Sequence, residues 1–340
     1  MKKNHKFFLL ITFVINISLS KDLIISFYNV ENLFDIYDSE DTNDYEFTPR
    51  GSKNYTQLVY NERLENISSV IRKIGNNHSV DGPAVIGLAE IENRIVLKDL
   101  ISHPNLIDKN YSVVHYDSPD TRGIDVALLY QSSKFEFVES KKFKVELIDQ
   151  NGLKKNTRDI LLVSGKLNNE NIHFIVNHWP SRSGGKSRTI GFRKKAALTA
   201  YNITDSILAD SPKDHIIIMG DFNDNPTDES LTKILKAFPL KNQPKQSLVN
   251  LYVNKHKKGI GTNVYRGEWN LFDQIIISKS LISTKRSKNM KIKKFGIYNK
   301  PYLIHQTGKY KSYPYRAFGG HNYIGGYSDH FPVYIILEIK

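Results

Sequence analysis

The fold and the chemistry of this chain are decided by the stretch IIIMGDFND, residues 216–224. A run of apolar residues that ends in glycine and short polar residues is typical of a buried strand meeting a turn at a sheet edge. Because Asp221 and Asn223 alternate with Phe222, an extended backbone directs both of their side chains to the same face. A carboxylate beside an amide suits a hard divalent cation, or a phosphate oxygen and the water that attacks it. A strand that simply ends in an Asx turn is the alternative that this stretch leaves open.

Polar side chains also border the other apolar runs that we interpret as strands. Any one of them alone is more readily a structural residue, but the same pattern recurs along the whole chain. The side chains at these positions are Asn29, Glu31, Glu90, Asn177, His178, Asp273, Asp329 and His330. Together with Asp221 and Asn223, this set of carboxylates, amides and histidines indicates metal-assisted hydrolysis.

Phosphate ester hydrolysis in particular has a candidate residue for each of its tasks. A histidine near neutral pH can take a proton from the attacking water, and a carboxylate can orient that histidine. Charge on the phosphate requires a cation or hydrogen-bond donors, and the leaving oxygen requires a metal or a proton.

The composition narrows the classes of protein. The 340 residues include no cysteine, which excludes a disulfide framework, a thiolate zinc site and a cysteine nucleophile. Any metal must therefore be held by oxygen or imidazole ligands. The formal net charge of +13 favours polyanionic partners such as nucleic acid, anionic lipid or acidic glycans, and charge alone does not choose among them.

The N-terminus is predicted to be an export signal. Residues 2–6 contain three lysines, and residues 7–19 are mostly apolar but too short for an ordinary membrane-spanning helix. Ser18 and Ser20 occupy the positions that a signal peptidase prefers. We therefore expect a signal peptide at 1–20 and a secreted or periplasmic catalytic domain at 21–340, with an uncleaved membrane anchor as the alternative.

Two further segments are rich in positive charge. Residues 183–195 form a basic, glycine-containing loop that enters a helix, an arrangement that suits phosphate, with a solvated surface as the alternative. Residues 279–316 contain eleven Lys or Arg and no Asp or Glu, with tyrosine and phenylalanine interleaved. Cations interleaved with aromatic rings favour a strand of nucleic acid through phosphate pairing and base stacking. A basic surface insertion is the alternative.

The hydrophobic pattern predicts one α+β domain. Apolar residues at helical spacing predict a helix over 56–74, and a second helix is predicted from the basic loop to about residue 208. Most other apolar runs have the length of strands, so we expect sheets packed face to face with helices outside.

The motifs, in their order, resemble those of the endonuclease/exonuclease/phosphatase superfamily. They are NVE at 29–31, Glu90, NH at 177–178, GDFN at 220–223, Asp273 and SDH at 328–330. The resemblance covers residues 22–340 and implies a four-layer α/β/β/α sandwich of two mainly antiparallel sheets flanked by helices. It places the site at the top of the two central sheets.

The resemblance also implies a metal site. Mg²⁺ is expected at Glu90, with Asn29, Glu31 and Asp329 nearby. Mn²⁺ is an alternative metal, and Ca²⁺ is an alternative as a structural or activating ion. Glu31 departs from the pattern because many members of the superfamily carry Asp at this position.

Roles for the other site residues follow from the same resemblance. His330 is expected to be the general base, oriented by Asp273. His178 is expected to stabilise charge or to protonate the leaving group. The residues expected to bind or polarise phosphate and water are Asp221 and Asn223, those expected to contact substrate are Arg122, Asn177 and Arg182, and Asp125 is expected to face an active-site cation or His178.

Three functions from different classes remain open at this point. The first is a secreted Mg²⁺-dependent nuclease, acting as a monomer without an obligate protein partner, in which a histidine-activated water attacks the phosphate of DNA or RNA. The second is a phosphodiesterase or phosphatase for lipid head groups, similar to a sphingomyelinase, or for small phosphoesters. The third is a non-catalytic binder of polyanions, which the complete set of site residues argues against.

Overall fold

Two β-sheets pack face to face in this protein, with helices on both outer faces. A computed structural model describes residues 22–241, 244, 247–282 and 289–339. The predicted signal peptide at 1–20 lies outside these residues. None of the helices in the described ranges combines the length and the apolar character that crossing a membrane requires.

The strands and helices have the following bounds. The strands are β1 Asp22–Leu33, β2 Val85–Ile91, β3 Tyr111–His115, β4 Asp125–Gln131, β5 Phe135–Phe143, β6 Leu147–Ile148, β7 Lys154–Lys155, β8 Ile160–Leu167, β9 Glu170–His178, β10 His215–Asp221, β11 Ala237–Phe238, β12 Leu248–Asn250, β13 Asn263–Tyr265, β14 Glu268–Asn270, β15 Asp273–Ile277, β16 Met290–Ile297, β17 Phe318–Gly319, β18 Asn322–Tyr323 and β19 Val333–Ile339. The helices are α1 Gln57–Lys73, α2 Arg94–Ser102, α3 Lys186–Asp210 and α4 Val253–His256.

Both large sheets are mixed and mainly antiparallel, as predicted. The first sheet has the strand order β16-β19-β1-β2-β4-β3, and β1 and β2 are its parallel pair. The second has the order β11-β12-β15-β10-β9-β8-β5, with parallel pairs at β9–β10 and β11–β12.

Three hydrophobic layers separate the two sheets and the two sets of helices. One layer lies between the first sheet and helices α1 and α2. The second fills the space between the sheets, and the third lies between the second sheet and α3. This arrangement confirms the four-layer sandwich, because each sheet is apolar on both faces and must bury both.

Local sequence explains the principal helix and one hairpin. Thr56 caps α1 by accepting a hydrogen bond from the amide of Val59, and the helix covers the predicted range. Asn168 and Asn169 both have positive φ, which a two-residue turn between β8 and β9 requires. Residues Ser230–Ile234 form a π-helical turn, which β11 follows.

Candidate active site

The strand ends converge because the alternation of side chains directs them into the space between the sheets. In β10, Ile217 and Met219 lie in the layer between the sheets, so Asp221 faces the same way. The register pairs Asp221 with His178 on one side and with Asp273 on the other. The second sheet thus delivers three polar side chains to one place.

Asp221 lies at the centre of the resulting cluster. Its Oδ2 accepts a hydrogen bond from Asn29 Nδ2 of the first sheet at 3.1 Å. The same oxygen lies 3.7 Å from His178 Nε2 and 3.9 Å from His330 Nε2. Burial raises the pKa of the Asp221 carboxyl to about 7; the charges of Asp273 and Glu90 add to this effect, and His330 opposes it.

His330 and Asp273 form a buried pair. Nδ1 of His330 lies 2.6 Å from Asp273 Oδ2, and the Asp273 side chain is fully buried. Burial opposes the charged imidazole, but the carboxylates of Asp273 and Asp221 outweigh it and raise the pKa of His330 well above its ordinary value. Since Nδ1 is taken by Asp273, Nε2 faces the cluster.

Glu90 reaches the cluster through a bulge in β2. Ala89 faces the layer between the sheets and Ile91 faces the helices, so Glu90 is an extra residue, and the pairing register shifts there. Its φ of 65° is in the left-handed region, an uncommon conformation for a non-glycine residue that the surrounding sheet must hold in place. Its carboxylate accepts from Asn29 Nδ2 at 3.3 Å and from the amide of Asn32 at 3.0 Å.

Glu31 and Asp329 form a second acidic group beside the first, joined by Arg316. The guanidinium lies 2.9 Å from Asp329 Oδ2 and 3.5 Å from Glu31 Oε1. Burial and the Asp329 charge raise the pKa of Glu31 to about 7, although Arg63 and Arg316 oppose the shift. The two groups meet at His330, whose Nε2 lies 3.9 Å from Asp329 Oδ1.

Asn223 lies at the rim of the site. Its amide N–H donates to Asp221 Oδ1 at 2.9 Å, and its Nδ2 donates to the Trp179 carbonyl at 3.0 Å. The strand ends at Asp221 and Asn223 has a φ of 48°, so the predicted extended backbone does not continue to Asn223, and the Asx turn that the sequence left open is the conformation observed. Gly220 is required within the motif because a Cβ there would lie 2.3 Å from the Asn177 carbonyl oxygen.

Asn177 does not reach the site, contrary to the prediction of a substrate contact. It alternates with His178 and therefore points to the opposite face, towards α3. Its Nδ2 donates to the carbonyls of Ile175 and Met219, and its Oδ1 accepts from Trp179 Nε1 at 2.9 Å. The side chain is fully buried and serves the packing of the second sheet.

His178 is buried next to two acidic groups. Its Nε2 lies 3.8 Å from Glu90 Oε1 as well as 3.7 Å from Asp221 Oδ2. Burial, followed by the charges of Arg158 and Arg122, lowers its pKa well below the ordinary value. A neutral imidazole with its proton on Nε2 fits these surroundings, because Nε2 is the atom that faces acceptors.

Arg122 lies at the exposed entrance to this cluster. Its side chain is 47% exposed, and its Nε lies 3.6 Å from Asp120 Oδ1. Asp120 is held in turn by the buried Arg158, whose Nη1 donates to it at 2.9 Å. Arg158 also donates to the carbonyls of His178 and Trp179, so one buried guanidinium fixes the backbone at His178 and the anchor of Arg122.

Arg182 is occupied by acidic partners within the protein, and most of the predicted basic loop at 183–195 is helical, because α3 begins at Lys186. Arg182 donates to the Asn223 carbonyl at 2.7 Å, to Asp224 at 3.0 Å and to Asp228 at 2.8 Å. Lys186 and Lys194 pair with Asp228 and Glu229. The contacts of Arg182 therefore differ from the predicted substrate contact, and they hold the turn that carries Asn223.

Asp125 also has a partner other than those predicted. Its Oδ2 lies 3.0 Å from His115 Nε2, and its Oδ1 accepts from the amide of Ser118 at 2.8 Å. Strand pairing explains this contact, because His115 of β3 pairs with Ala127 of β4, and Asp125 lies two residues before Ala127 on the same face.

The residues present fit a hard divalent cation. Carboxylates of Glu90, Asp221 and Asp273 gather in a buried space, and Asp273 Oδ1 has no hydrogen-bond partner. Buried negative charge without compensation is costly, and oxygen donors of this kind are the ligands that Mg²⁺ prefers. Asp221, Asp273 and His330 can also bring one ligand atom each within 4.8 Å of one another.

Several residues that support the site gave no clear signal in the sequence. Arg63 of α1 is fully buried and donates to the carbonyls of Val30, Glu31 and Tyr327, which fixes the end of β1. A charged residue on the apolar face of a predicted helix was the available signal for it. Ser328 is part of the SDH motif, but its contact was not predicted: it links the motif to β1 by donating to the Asn29 carbonyl at 2.7 Å.

Comparison with known proteins gives a family match along nearly the whole described chain. A family model described as "Endonuclease/Exonuclease/phosphatase family" matches residues 24–339. Comparison with curated proteins found no match.

Solved structures of low sequence identity share the fold. Humanized D. rerio TDP2 is 14% identical, with a TM-score of 0.57 over 94% of this chain and 100% of that chain. An endonuclease/exonuclease/phosphatase from Bacteroides vulgatus is 15% identical, with a TM-score of 0.54 over 94% and 99% of the two chains. D. rerio TDP2 complexed with a single-strand DNA product is 14% identical, with a TM-score of 0.52 over 93% and 99%.

Proposed function

Since the chain belongs to the endonuclease/exonuclease/phosphatase family, whose members are metal-dependent phosphoesterases, we propose that it is a Mg²⁺-dependent nuclease that hydrolyses phosphodiester bonds of nucleic acid. The observation that carries the proposal is the pairing of His330 with Asp273 at 2.6 Å beside the carboxylates of Asp221 and Glu90. This arrangement combines a positioned base with a place for a cation and a phosphate.

His330 is the general base in this proposal. Asp273 holds the imidazole through Nδ1, which leaves Nε2 to take a proton from the attacking water. The water oxygen bonds to phosphorus and the bond from phosphorus to the leaving oxygen breaks. The leaving oxygen takes a proton from solvent, and His330 returns the proton that it took from the water to solvent. Asp221 and Asn223 orient the water and the phosphate in this proposal. Asp221 Oδ2 lies 3.9 Å from His330 Nε2, and the amide of Asn223 donates to Asp221 Oδ1 at 2.9 Å.

His178 stabilises negative charge rather than protonating the leaving group. A neutral imidazole with its Nε2 proton directed towards the cluster is a hydrogen-bond donor for a phosphate oxygen. Arg158 positions it through the His178 carbonyl, and Arg122 supplies an exposed cation at the entrance.

In this proposal, four residues would hold the metal. Glu90 and Asn29 lie on one side of the site, and Asp329 and Glu31 lie on the side of Arg316. A divalent cation bound among these carboxylates supplies positive charge that offsets them, favours the neutral form of His330 and stabilises charge that develops on the phosphate. Mn²⁺ is an alternative occupant, and Ca²⁺ an alternative structural or activating ion.

Charge and similarity support nucleic acid as the substrate class. The net charge of +13 attracts a polyanion, and one structural neighbour was solved with a single-strand DNA product. We also propose that the protein is a secreted or periplasmic monomer after removal of residues 1–20. N-terminal sequencing of the exported protein tests this, and a retained N-terminus would favour a membrane anchor.

The test of the proposed function is nicking of supercoiled plasmid by the purified protein, with Mg²⁺ or with EDTA, beside the variant His330→Ala. We expect metal-dependent nicking that the variant lacks while it remains folded. Nicking by the variant at the wild-type rate would remove His330 from the role of base. A folded wild-type protein that binds metal but does not nick would shift the substrate to a lipid head group or a small phosphoester.

One observation keeps the lipid head group as a second candidate. The β6–β7 hairpin presents Ile148 and Leu153, each 64% exposed, next to Lys154 and Lys155. Exposed apolar side chains beside lysines suit an anionic membrane surface. Release of phosphorylated head group from vesicles, without nicking of plasmid, would favour this candidate.

A further inference from the structure

A cleft of about 650 Å³ opens next to the acidic group of the active site. Its walls contain Tyr265, Arg266, Lys309, Tyr310, Tyr313 and Arg316, and we call it the tyrosine cleft. Asp329, which also lines it, precedes the proposed base His330 directly in the chain. The cleft is therefore continuous with the site, and it shares Asp329 and Arg316 with the acidic group described above.

The tip of the β13–β14 hairpin forms one wall of the cleft and is tied to the active site. Asn263 forms a bridge with His330 and donates to the Asp329 carbonyl at 3.0 Å. Alternation along β13 places Tyr265 on the same face as Asn263. Arg266 and Gly267 both have positive φ, as a tight two-residue turn requires, so the hairpin holds Tyr265 at a defined position.

The opposite wall is a group of aromatic rings from the segment after β16. The ring centroids of Tyr310 and Tyr313 lie 6.2 Å apart, and Tyr313 packs edge-on against Trp269 of β14 at 6.0 Å. The two walls are thus joined through Trp269. Tyr265 is 62% exposed and Tyr310 is 54% exposed, so both rings are accessible to a ligand in the cleft.

The electrostatics of the cleft favour an anion that carries flat groups. The Arg266 guanidinium lies 5.3 Å from the Tyr265 ring centroid, and Lys309 Nζ lies 5.7 Å from that of Tyr310. Among the described residues that line the cleft, Asp329 is the one acid, and it is paired with Arg316 at 2.9 Å. Exposed tyrosines alternating with cations bind successive bases and phosphates of an unpaired strand.

We propose that the tyrosine cleft binds unpaired nucleobases next to the scissile phosphate, so that the substrate is a single-stranded polynucleotide or a frayed end. The proposal rests on the proposed function, because it specifies which form of nucleic acid presents its phosphate to the site. A paired base in a duplex is stacked on both faces and offers neither face to Tyr265 or Tyr310. Because bases stack in the same way in DNA and RNA, the test includes both a DNA and an RNA oligonucleotide.

The test measures binding, which keeps it separate from catalysis. Fluorescence anisotropy in EDTA compares the affinity of the protein for a labelled oligothymidylate with its affinity for an abasic oligonucleotide of equal length. The same two ligands are tested with three variants: the double variant Tyr265→Ser/Tyr310→Ser, which lacks both rings, the double variant Tyr265→Phe/Tyr310→Phe, which keeps them, and the control Tyr116→Ser. Tyr116 is also exposed but follows β3, at the opposite edge of the first sheet from β16.

We expect the wild-type protein to bind the thymidylate about tenfold more tightly than the abasic strand, a ratio within the range of one stacking contact. The serine variant should bind both strands with nearly equal affinity, while the phenylalanine variant and Tyr116→Ser should keep the wild-type ratio. An oligouridylate should behave as the thymidylate does, and a blunt duplex should bind more weakly than either strand.

Three results would overturn the proposal. The first is equal affinity of the wild-type protein for the base-bearing and abasic strands. The second is a folded serine variant whose affinities for both strands are weakened equally. The third is a serine variant that is impaired only in binding to anionic phosphatidylserine vesicles. Hydrolysis of bis(p-nitrophenyl) phosphate separates the two hypotheses, since that substrate has no nucleobase. If the wild-type protein hydrolyses this substrate but shows no preference for the base-bearing strand, the proposed function is supported and the proposal for the tyrosine cleft is wrong.

Discussion

Nδ1 of His330 lies 2.6 Å from Oδ2 of Asp273, and the two residues come from different elements, the SDH motif before β19 and the start of β15. Asp273 has no exposed surface, and its other oxygen has no hydrogen-bond partner. The pair determines that Nε2 of His330 faces the site, so removing the Asp273 carboxylate should impair the base.

Asp273→Asn should lower kcat by about 10²–10⁴-fold, the range that a positioned general base contributes, because the amide no longer holds His330 with Nε2 free. Steady-state hydrolysis of bis(p-nitrophenyl) phosphate measures it. The matched control is Asp214→Asn, since Asp214 lies 3.2 Å from His173 Nε2 in a second His–Asp pair outside the site. A kcat of Asp273→Asn equal to that of the control would contradict the assignment.

Glu90→Gln should raise the Mg²⁺ concentration required for half-maximal activity by at least about tenfold, because a neutral amide is a poor ligand for a hard cation. A titration of activity against Mg²⁺ measures this, and isothermal calorimetry measures binding without turnover. Glu229→Gln is the control, because Glu229 pairs with Lys194 and Lys233 on the surface. An unchanged titration would remove Glu90 from the metal site.

Asn177→Ala and His178→Ala should have separable effects, although the residues are neighbours. Asn177→Ala should lower the free energy of unfolding by about 1–3 kcal/mol, because buried donors and acceptors are left without their partners. His178→Ala should lower kcat with a smaller change in stability, because its Nε2 faces the cluster. Urea unfolding and kcat together measure both, and a reduced kcat at unchanged stability in Asn177→Ala would return Asn177 to the site.

Lysines of β16 should contribute little to DNA binding, although they belong to the basic segment 279–316. Lys291 pairs with Glu338 at 2.5 Å, and Lys293 pairs with Asp22 at 3.0 Å. Replacing both by Gln should leave the slope of log Kd against log salt unchanged. Replacing Arg266 and Lys309 by Gln should reduce the slope by about one for each phosphate that the protein no longer neutralises.

The salt dependence of binding to a short oligonucleotide measures this prediction. Equal slopes for the two double variants would mean that the cleft does not bind phosphate. Three further cations of the same segment, Lys285, Arg286 and Lys288, lie outside the described residues. The two double variants therefore compare only the cations of β16 with those of the cleft.

Much of the fold and of the candidate site was accessible from the sequence for a simple reason. Strand ends carry their polar residues in the chain itself, and the two-residue period of an extended backbone predicts which side chains of one strand share a face. The clustering of Asp221, His178 and Asp273 follows once the strands of the second sheet are placed in register, and His330 joins them from the segment before β19 of the first sheet. The family resemblance supplied the order of the layers, which periodicity alone does not specify.

Other residues could not be assigned because their partners are distant in the sequence. Arg182 looked like a phosphate ligand beside a helix start, but Asp224 and Asp228 occupy it in the folded protein. Arg158 gave no signal, since its role depends on the backbone of His178 and on Asp120.

The sequence by itself determined the chemical groups available, the strands that carry them and the absence of any thiolate chemistry. Only the tertiary structure decided which of those groups meet. The bulge that turns Glu90 into the site, the acidic partners that occupy Arg182 and the tyrosine cleft beside Asp329 all depend on register and packing between distant elements. The local sequence pattern determines the face of its own strand to which a side chain points. Which side chains of different strands come into contact depends on how the two sheets pack to bury their apolar faces.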